Sequence, residues 1–147
     1  YNEYVINWEN DGYEIKNNIK ENGMKAASVR SEALYFKQFI TWSAVTSGKF
    51  SCRISQKGAL FDSGGSSIKV DNQIYYIMAL LNSTIGQFYL DINNATINYQ
   101  PGDIANIPVI TMNEDSISVL VNDCINNAKY DWDAFETSWD FKRHPLI

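Results

Sequence analysis

The chain has 147 residues, of which 45% are hydrophobic and 14% aromatic, and this composition is rich enough in apolar side chains to exclude a disordered tail. Its net charge of -5 argues against a general nucleic-acid binder, because contacts with phosphate require clustered Lys and Arg. The longest apolar run, residues 74–81, is far shorter than the ~20 residues of a membrane span, so we expect a soluble protein without a membrane partner.

The first third of the chain predicts one strand and one helix. Residues 2–11 place Val5 and Ile6 between aromatic side chains and are predicted to form a strand, and the Asn-Asp-Gly sequence at 10–12 predicts a turn at its end. Residues 13–31 are mostly polar and are predicted to form a short helix followed by a mobile loop.

Residues 35–70 predict a set of hairpin strands. Short runs of β-branched and aromatic residues are separated there by Ser-Gly, Lys-Gly and Gly-Gly pairs, which are typical of tight turns. The Ser-Gly-Gly sequence at 63–65 is therefore interpreted as a hairpin turn rather than as a phosphate-binding loop.

A helical period of about 3.6 residues begins near Asn72 and continues to Ile92. Ser83 interrupts this pattern and has the side chain of a helix N-cap, so two consecutive helices are predicted to meet there. Residues 95–110 then predict a short strand, a Pro-Gly turn at 101–102 and a second apolar strand at 107–110.

A last helix is predicted over 114–127. Its apolar positions are Ile117, Leu120, Val121 and Cys124. Together the elements predict a single α+β domain over residues 1–147, with a hairpin-rich mixed sheet and three or four packed helices. Because the chain begins with Tyr1 and has no signal-peptide pattern, we expect it to be a piece of a longer polypeptide.

The two cysteines, Cys52 and Cys124, are far apart and have neither Cys-x-x-Cys spacing nor a histidine nearby. This pattern indicates neither a zinc site nor a disulfide framework. Buried free thiols in a reducing cytoplasm are the favoured interpretation.

The sequence contains no complete set of catalytic residues. Methylation of an amino group on a base requires a polar-Pro-Pro-aromatic loop, and the three prolines, Pro101, Pro108 and Pro145, are not adjacent. A glycine-rich cofactor turn is also missing, and His144 has no assignable nucleophile or carboxylate partner. We therefore predict no catalytic residue, no metal ligand and no cofactor site in this chain.

Six stretches together resemble one family, the PglX adenine-specific DNA methyltransferases of BREX phage-resistance systems. They cover nearly the whole chain and resemble the C-terminal part of that family; more loosely, the helix and strand around residues 79–109 resemble the specificity domains of TaqI-like methyltransferases and type I restriction subunits. The stretches are YVINWENDGYEIKN, ITWSAVTSGKFSCR, GALFDSGGSSI, MALLNSTI, INYQPGDIANIPVI and DWDAFETSWDFKRHPLI.

The resemblance implies a target-recognition domain that is separate from its catalytic domain. It implies double-stranded DNA as a partner, a catalytic methyltransferase domain upstream, S-adenosylmethionine as the cofactor of the parent, and other BREX components as further partners in the bacterial cytoplasm. An alternative function is a protein-interaction module that docks the methyltransferase to those components.

The predicted hairpin at 47–58 provides the main candidates for DNA contact. Lys49, Arg53 and Lys57 recur every four residues and would share one face of a strand, with Phe50 on the other face. A solvated edge strand whose charges prevent aggregation is the alternative interpretation. Other candidates in the basic region 16–69 are Lys37, Ser66 and Lys69.

The C-terminal segment interleaves aromatic and charged residues. Trp132, Phe135 and Trp139 have the spacing of one helical face, with Asp131 as a cap, and packing against the domain is one interpretation. The other is docking to a partner, since Leu146 and Ile147 would otherwise be exposed. The candidate interaction residues are Trp139, Phe141, Arg143 and His144.

Overall fold

The computed structural model describes residues 4–62 and 64–147. Within these residues the chain forms an antiparallel sheet of three strands with α-helices packed on one face, which confirms the α+β class. The strands are β1 (Phe39–Trp42), β2 (Cys52–Ser55) and β3 (Ser67–Ile68), and the helices are α1 (Glu9–Asn17), α2 (Ile74–Asn82), α3 (Thr84–Asn93), α4 (Pro101–Ala105) and α5 (Glu114–Trp132), with a short 3-10 turn at Glu32–Leu34.

The sheet confirms the predicted hairpin strands. Its order is β2-β1-β3 and both pairings are antiparallel, so the described sheet is antiparallel rather than mixed. The central strand β1 is buried along its whole length. Ile40 and Trp42 point into the main core with Leu90 of α3, and all three side chains are fully buried.

Two consecutive helices meet at Ser83, as predicted. The Ser83 hydroxyl accepts a hydrogen bond from the Gly86 N–H at 3.0 Å and donates one to the Leu80 carbonyl at 2.7 Å. The elbow is so tight that a Cβ atom at Gly86 would lie 2.2 Å from the Leu80 oxygen. Only glycine therefore fits at the first turn of α3 without a shift of the backbone.

Side-chain amides from this elbow cover the outer edge of β2. The Asn82 side chain accepts from the Cys52 N–H at 2.9 Å and donates to the Cys52 carbonyl at 3.0 Å. The Gln87 side chain accepts from the Phe50 N–H at 3.1 Å. These bonds take the place of a neighbouring strand, because they pair backbone groups that an edge strand leaves open.

The loop after α3 is joined to the core through Trp42. The Trp42 indole N–H donates to the Tyr99 carbonyl at 2.9 Å, and the Tyr99 N–H donates to the Ala44 carbonyl at 2.7 Å. The strand predicted at the start of 95–110 is present only as one isolated antiparallel bridge, between Val45 and Asn98.

Two predictions in this region are wrong. Pro101 begins the short helix α4 instead of a reverse turn, because proline fits the first helical position and the Asp103 carboxylate accepts from the Gln100 N–H at 2.8 Å. No strand forms at 107–110. Ile107 is buried, but Val109 and Ile110 lie exposed in a segment without regular secondary structure.

The strand predicted at 2–11 is also wrong for the residues that are described; residues 2 and 3 lie outside them. Residues 4–8 are irregular, and α1 starts at Glu9. Val5 and Ile6 are exposed, so their alternating pattern finds no neighbouring strand to pair with. The turn signal at 10–12 is correct in its local conformation, because Asn10, Asp11 and Gly12 have φ values of 49°, 57° and 70°.

The last helix is confirmed and runs five residues beyond its predicted end at Asn127. Asp131 therefore lies inside α5 and caps no further helix. Residues 133–140 form successive turns, and Phe135 and Trp139 are exposed, so the predicted helix that packs Trp132, Phe135 and Trp139 on the domain is wrong. Hydrogen bonds from Lys129 and Ser138 hold this segment in place instead. No helix in the described ranges is long and apolar enough to cross a membrane.

The glycine at the elbow gives a direct test of the fold. Gly86→Ala is expected to lower the free energy of unfolding by ~2–3 kcal/mol, because the added methyl overlaps the Leu80 carbonyl and the Ser83 cap must open. Urea denaturation measures the loss. Gly102→Ala in α4 is the matched control: no atom lies within 4 Å of its added Cβ, so stability should stay the same or rise by up to ~1 kcal/mol. Equal effects of the two substitutions would contradict this account of the elbow.

Candidate nucleic-acid interface

The sheet has a second face, opposite the main core, that carries Arg53. Residues on β1 alternate, so Ile40 and Trp42 face the core while Phe39 and Thr41 face the other way. The register pairs Thr41 with Arg53 on β2 and with Ser67 on β3. We call the surface around these residues the second face. Arg53 lies exposed on it, and Phe50 is buried in the core as predicted.

Lys37 and Lys57 lie near the end of the sheet at which Phe39 pairs with Ser55. Lys37 is in a bend two residues before Phe39, and Lys57 is in a turn two residues after Ser55. The chain closes this end with two backbone bonds, from Gly58 N–H to the Phe36 carbonyl at 3.0 Å and from Phe36 N–H to the Ala59 carbonyl at 3.1 Å. Both lysines are exposed.

The remaining candidates are more scattered. Lys69 directly follows β3 at the end where Phe39 lies, and it forms an ion pair with Asp71. Lys49 precedes β2 at the opposite end, where it is exposed. Ser66 serves the fold, because its carbonyl accepts from the Trp42 N–H at 3.0 Å and from the Thr41 hydroxyl at 2.9 Å.

The strand that was predicted to carry three basic residues is shorter than expected. Of Lys49, Arg53 and Lys57, only Arg53 lies within β2; the other two flank it. Among the described residues, these three side chains and Lys37 make no ion pair, so their charges are available to a ligand. Ammonium and guanidinium groups in such positions can bind phosphate, and a guanidinium can also bind guanine.

An aromatic cluster covers the Phe39 end of the second face. Phe39 packs edge-to-face on Phe61 at 5.2 Å between ring centroids, and Phe61 packs on Tyr35 at 5.2 Å. Tyr35 in turn contacts Trp8 at 5.4 Å, and the Lys16 ammonium lies 5.4 Å from a Trp8 ring centroid. Sequence reasoning missed this cluster, since its members come from three separate segments. It fixes the loop on which Lys37 lies.

The C-terminal segment folds around Lys129. The Lys129 ammonium donates to Asp133 at 2.5 Å and to Asp140 at 2.7 Å, and the Ser138 hydroxyl donates to Asp133 at 2.6 Å. The bonds from Lys129 and Ser138 hold the pKa of the Asp133 carboxyl below its usual range, and the two carboxylates raise the pKa of Lys129. A cleft of about 580 Å³ lies between this segment and the end of α5, with Arg143 in its lining.

The aromatic candidates of this segment differ in exposure. Trp139 is 73% exposed, whereas Phe141 and His144 are half-buried. The His144 ring meets Phe135 edge-to-face at 6.3 Å, and its Nδ1 accepts from the Leu146 N–H at 3.2 Å. Among these candidates Trp139 is therefore the most exposed aromatic side chain.

The two cysteines are free, and only one of them is buried. Burial raises the pKa of the Cys52 thiol to about 12, which makes it unreactive at neutral pH. Cys124 lies exposed on α5, so the expectation of two buried thiols is wrong for it, because only Val121 on that helix is buried. In the described ranges, no group of three or more His, Cys, Asp or Glu side chains is placed to hold a metal ion.

Comparison with known proteins identifies relatives of this chain. It is 38% identical over 149 aligned residues to the adenine-specific methyltransferase BrxX of Escherichia coli O9:H4 (strain HS), and the match covers 99% of the chain. It is 35% identical over 147 residues to the adenine-specific methyltransferase PglX of Lacticaseibacillus casei (strain Zhang), covering 98% of the chain. The chain spans 12% of the length of each of these relatives. No protein-family model matches it.

These matches define the chain as a homologue of one segment of adenine-specific methyltransferases. The resemblance to the PglX family that the sequence indicated is confirmed, and the segment is shared with both BrxX and PglX.

The ion cluster at Lys129 predicts a pH dependence. The folded-state pKa of Asp133 is lowered, so its carboxylate stabilises the C-terminal segment above pH ~4, and this contribution is lost as the pH falls through the lowered pKa. Asp133→Asn should therefore lower the melting temperature at pH 7 and flatten its fall below pH 4. Asp131→Asn is the matched control on the same helix, as Asp131 makes no side-chain bond among the described residues. If the melting temperatures of the wild type and Asp133→Asn differ by the same amount at every pH, the role of this cluster is contradicted.

Proposed function

We propose that this chain is the target-recognition part of an adenine-specific DNA methyltransferase in a BREX-type phage-defence system, and that its second face contacts double-stranded DNA. The supporting observation is the similarity to BrxX and PglX over nearly the whole chain, together with unpaired basic side chains on one side of the sheet. Methyl transfer to adenine N6 then belongs to a catalytic domain upstream of this segment in the parent, which acts in the bacterial cytoplasm.

Arg53 is the candidate for contact with a base edge or a phosphate. It extends from β2, which is paired with β1 on one side and hydrogen-bonded by the Asn82 and Gln87 side chains on its outer edge, so its backbone is held in place before DNA arrives. Lys37 and Lys57 at the end of the same face would hold the phosphate backbone and set the register of the duplex. Lys49 would extend the basic surface past the other end of β2.

The acidic net charge is compatible with this function because the charges are unevenly distributed. Residues 16–69 contain nine Lys or Arg and three Asp or Glu, although the whole chain has a charge of -5. A basic surface on one side can attract DNA while the acidic remainder keeps the protein from binding it in other orientations. Lys69 contributes less to this attraction, since Asp71 already neutralises it.

The carboxyl-terminal segment supports an alternative function, docking of the methyltransferase to another defence component. Trp139 is exposed, and Leu146 and Ile147 are exposed beside it in sequence at 89% and 94%. Large aromatic side chains dominate protein interfaces at ~2 kcal/mol or more each. Arg143 and the polar cleft next to it would supply the rim of such an interface.

The basic side chains assigned to the second face predict weak, salt-sensitive binding of duplex DNA by the isolated chain. Arg53→Ala should weaken binding by ~1–3 kcal/mol, and Lys37→Ala, Lys49→Ala and Lys57→Ala should each reduce the slope of log affinity against log salt by about 1 if that lysine contacts a phosphate. Fluorescence anisotropy with a labelled duplex at several salt concentrations measures both quantities.

The controls for this experiment separate the two functions. Lys142→Ala removes the same charge from the C-terminal segment and should leave DNA binding unchanged. Trp139→Ala should also leave it unchanged, and under the alternative function it would abolish binding to a purified defence component. DNA affinity that is the same for the wild type and all four basic variants would exclude the second face as the DNA contact.

We further propose that S-adenosylmethionine binds to the catalytic domain of the parent and not to this chain. The polar loop around Asn98, Gln100 and Asp103 is the closest approach to a cofactor cradle, but its groups bond each other: Gln100 donates to Asn98 at 2.6 Å, and Asn94 donates to Asp103 at 3.2 Å.

Isothermal titration of the chain with S-adenosylmethionine is expected to give no saturable heat. The complete parent methyltransferase serves as the positive control. A micromolar site, equivalent to ~8 kcal/mol of binding free energy, would contradict the assignment of this chain as a reader without a cofactor.

A further inference from the structure

Helix α3 presents a stripe of large apolar side chains to solvent. Ile85, Phe88 and Ile92 are 62%, 61% and 63% exposed, and their spacing of three and four residues places them on one side of the helix. The sequence analysis predicted only that these residues recur at helical spacing. The core side of α3 consists instead of Gly86 and Leu90.

The orientation of this stripe is fixed by the fold. Gly86 packs against the Leu80 carbonyl, Leu90 is fully buried, and the Gln87 side chain accepts a hydrogen bond from the Phe50 N–H. Rotation of α3 to bury Ile85, Phe88 and Ile92 would break all three contacts. The exposed stripe is therefore a rigid property of the domain.

The stripe and the second face lie on different sides of the molecule. Leu90 packs in the core with Ile40 and Trp42, which point away from Arg53 and its surface. Within α3 the one charged residue is Asp91, and the helix carries no Lys or Arg, so it offers phosphate nothing to bind. The apolar side chains of the stripe are suited to contact an apolar surface of a protein.

We propose that the Ile85, Phe88 and Ile92 stripe docks this domain onto an apolar surface of the rest of the methyltransferase polypeptide. The proposal rests on the proposed function. The matched segment makes up 12% of the length of BrxX and PglX, so in those relatives most of the polypeptide lies outside it and is available to cover the stripe. With α3 docked, the second face on the other side of the sheet stays open to DNA.

The test places the same substitutions in two contexts. Ile85→Ser, Phe88→Ser and Ile92→Ser are combined in the parent methyltransferase and in the 147-residue chain, and thermal unfolding is followed for both. Because the side chains are already exposed in the chain, its melting temperature should change by less than about 1 °C, whereas the parent should lose at least about 3 °C. Oxidative footprinting should show Phe88 reactive in the chain and protected in the parent.

Three results would overturn the proposal. One is a parent methyltransferase whose melting temperature is not changed by the three substitutions and in which Phe88 is as reactive as in the 147-residue chain. The second is an equal loss of stability in both contexts, which would make the stripe part of the domain's own fold. The third is a dimer of the 147-residue chain in sedimentation that the substitutions abolish, which would make a second copy the occupant. None of these depends on the DNA-binding measurements with Arg53→Ala, so the two proposals fail separately.

Discussion

The structure depends on the way the α2–α3 elbow pairs with the outer edge of β2. Asn82 and Gln87 give that edge the hydrogen bonds a fourth strand would give, and a sheet of three short strands has few other means of holding its helices in place. Their positions follow from the Ser83 cap and from the close approach at Gly86. Because these bonds occupy the edge, the helices stay packed over Trp42 and complete the hydrophobic core.

The helices and the elbow cover one face and one edge of the sheet. On the second face Phe39, Thr41 and Ser55 are also buried, whereas Arg53 is exposed. The aromatic cluster from Trp8 to Phe39 fixes the neighbouring loop at one end of this face, and Arg53 on β2 remains exposed. A small domain can thereby present charged groups on a rigid support, which positions them more accurately than a mobile loop would.

Local signals in the sequence predicted local structure well. The cap at Ser83 and the start of α5 at Glu114 were predicted correctly, because a capping side chain or a turn residue acts within a few positions of itself. The Ser-Gly-Gly sequence at 63–65 precedes β3, which pairs with β1 and not with β2, so the part of it that is described does not join two neighbouring strands. The strand predicted around Val5 and Ile6 is wrong for the described residues, and the helical spacing of Ile85, Phe88 and Ile92 did not indicate their exposure, since apolar patterning gives the type of element but not the surface that covers it. The second face combines residues from three strands, so only the pairing register could assemble it.

The bonds that seal β2 also dictate when the domain can fold during synthesis. The hairpin of β1 and β2 is complete by residue 55, but Asn82 and Gln87 reach back over 30 and 37 residues, and the Trp42 indole bonds a carbonyl 57 residues later. At ~5–20 residues per second, the ribosome leaves this hairpin with an open edge for several seconds. The nascent chain must pass through a stage in which the strand edge is available to chaperones or to wrong partners, and its protection begins only when the elbow emerges.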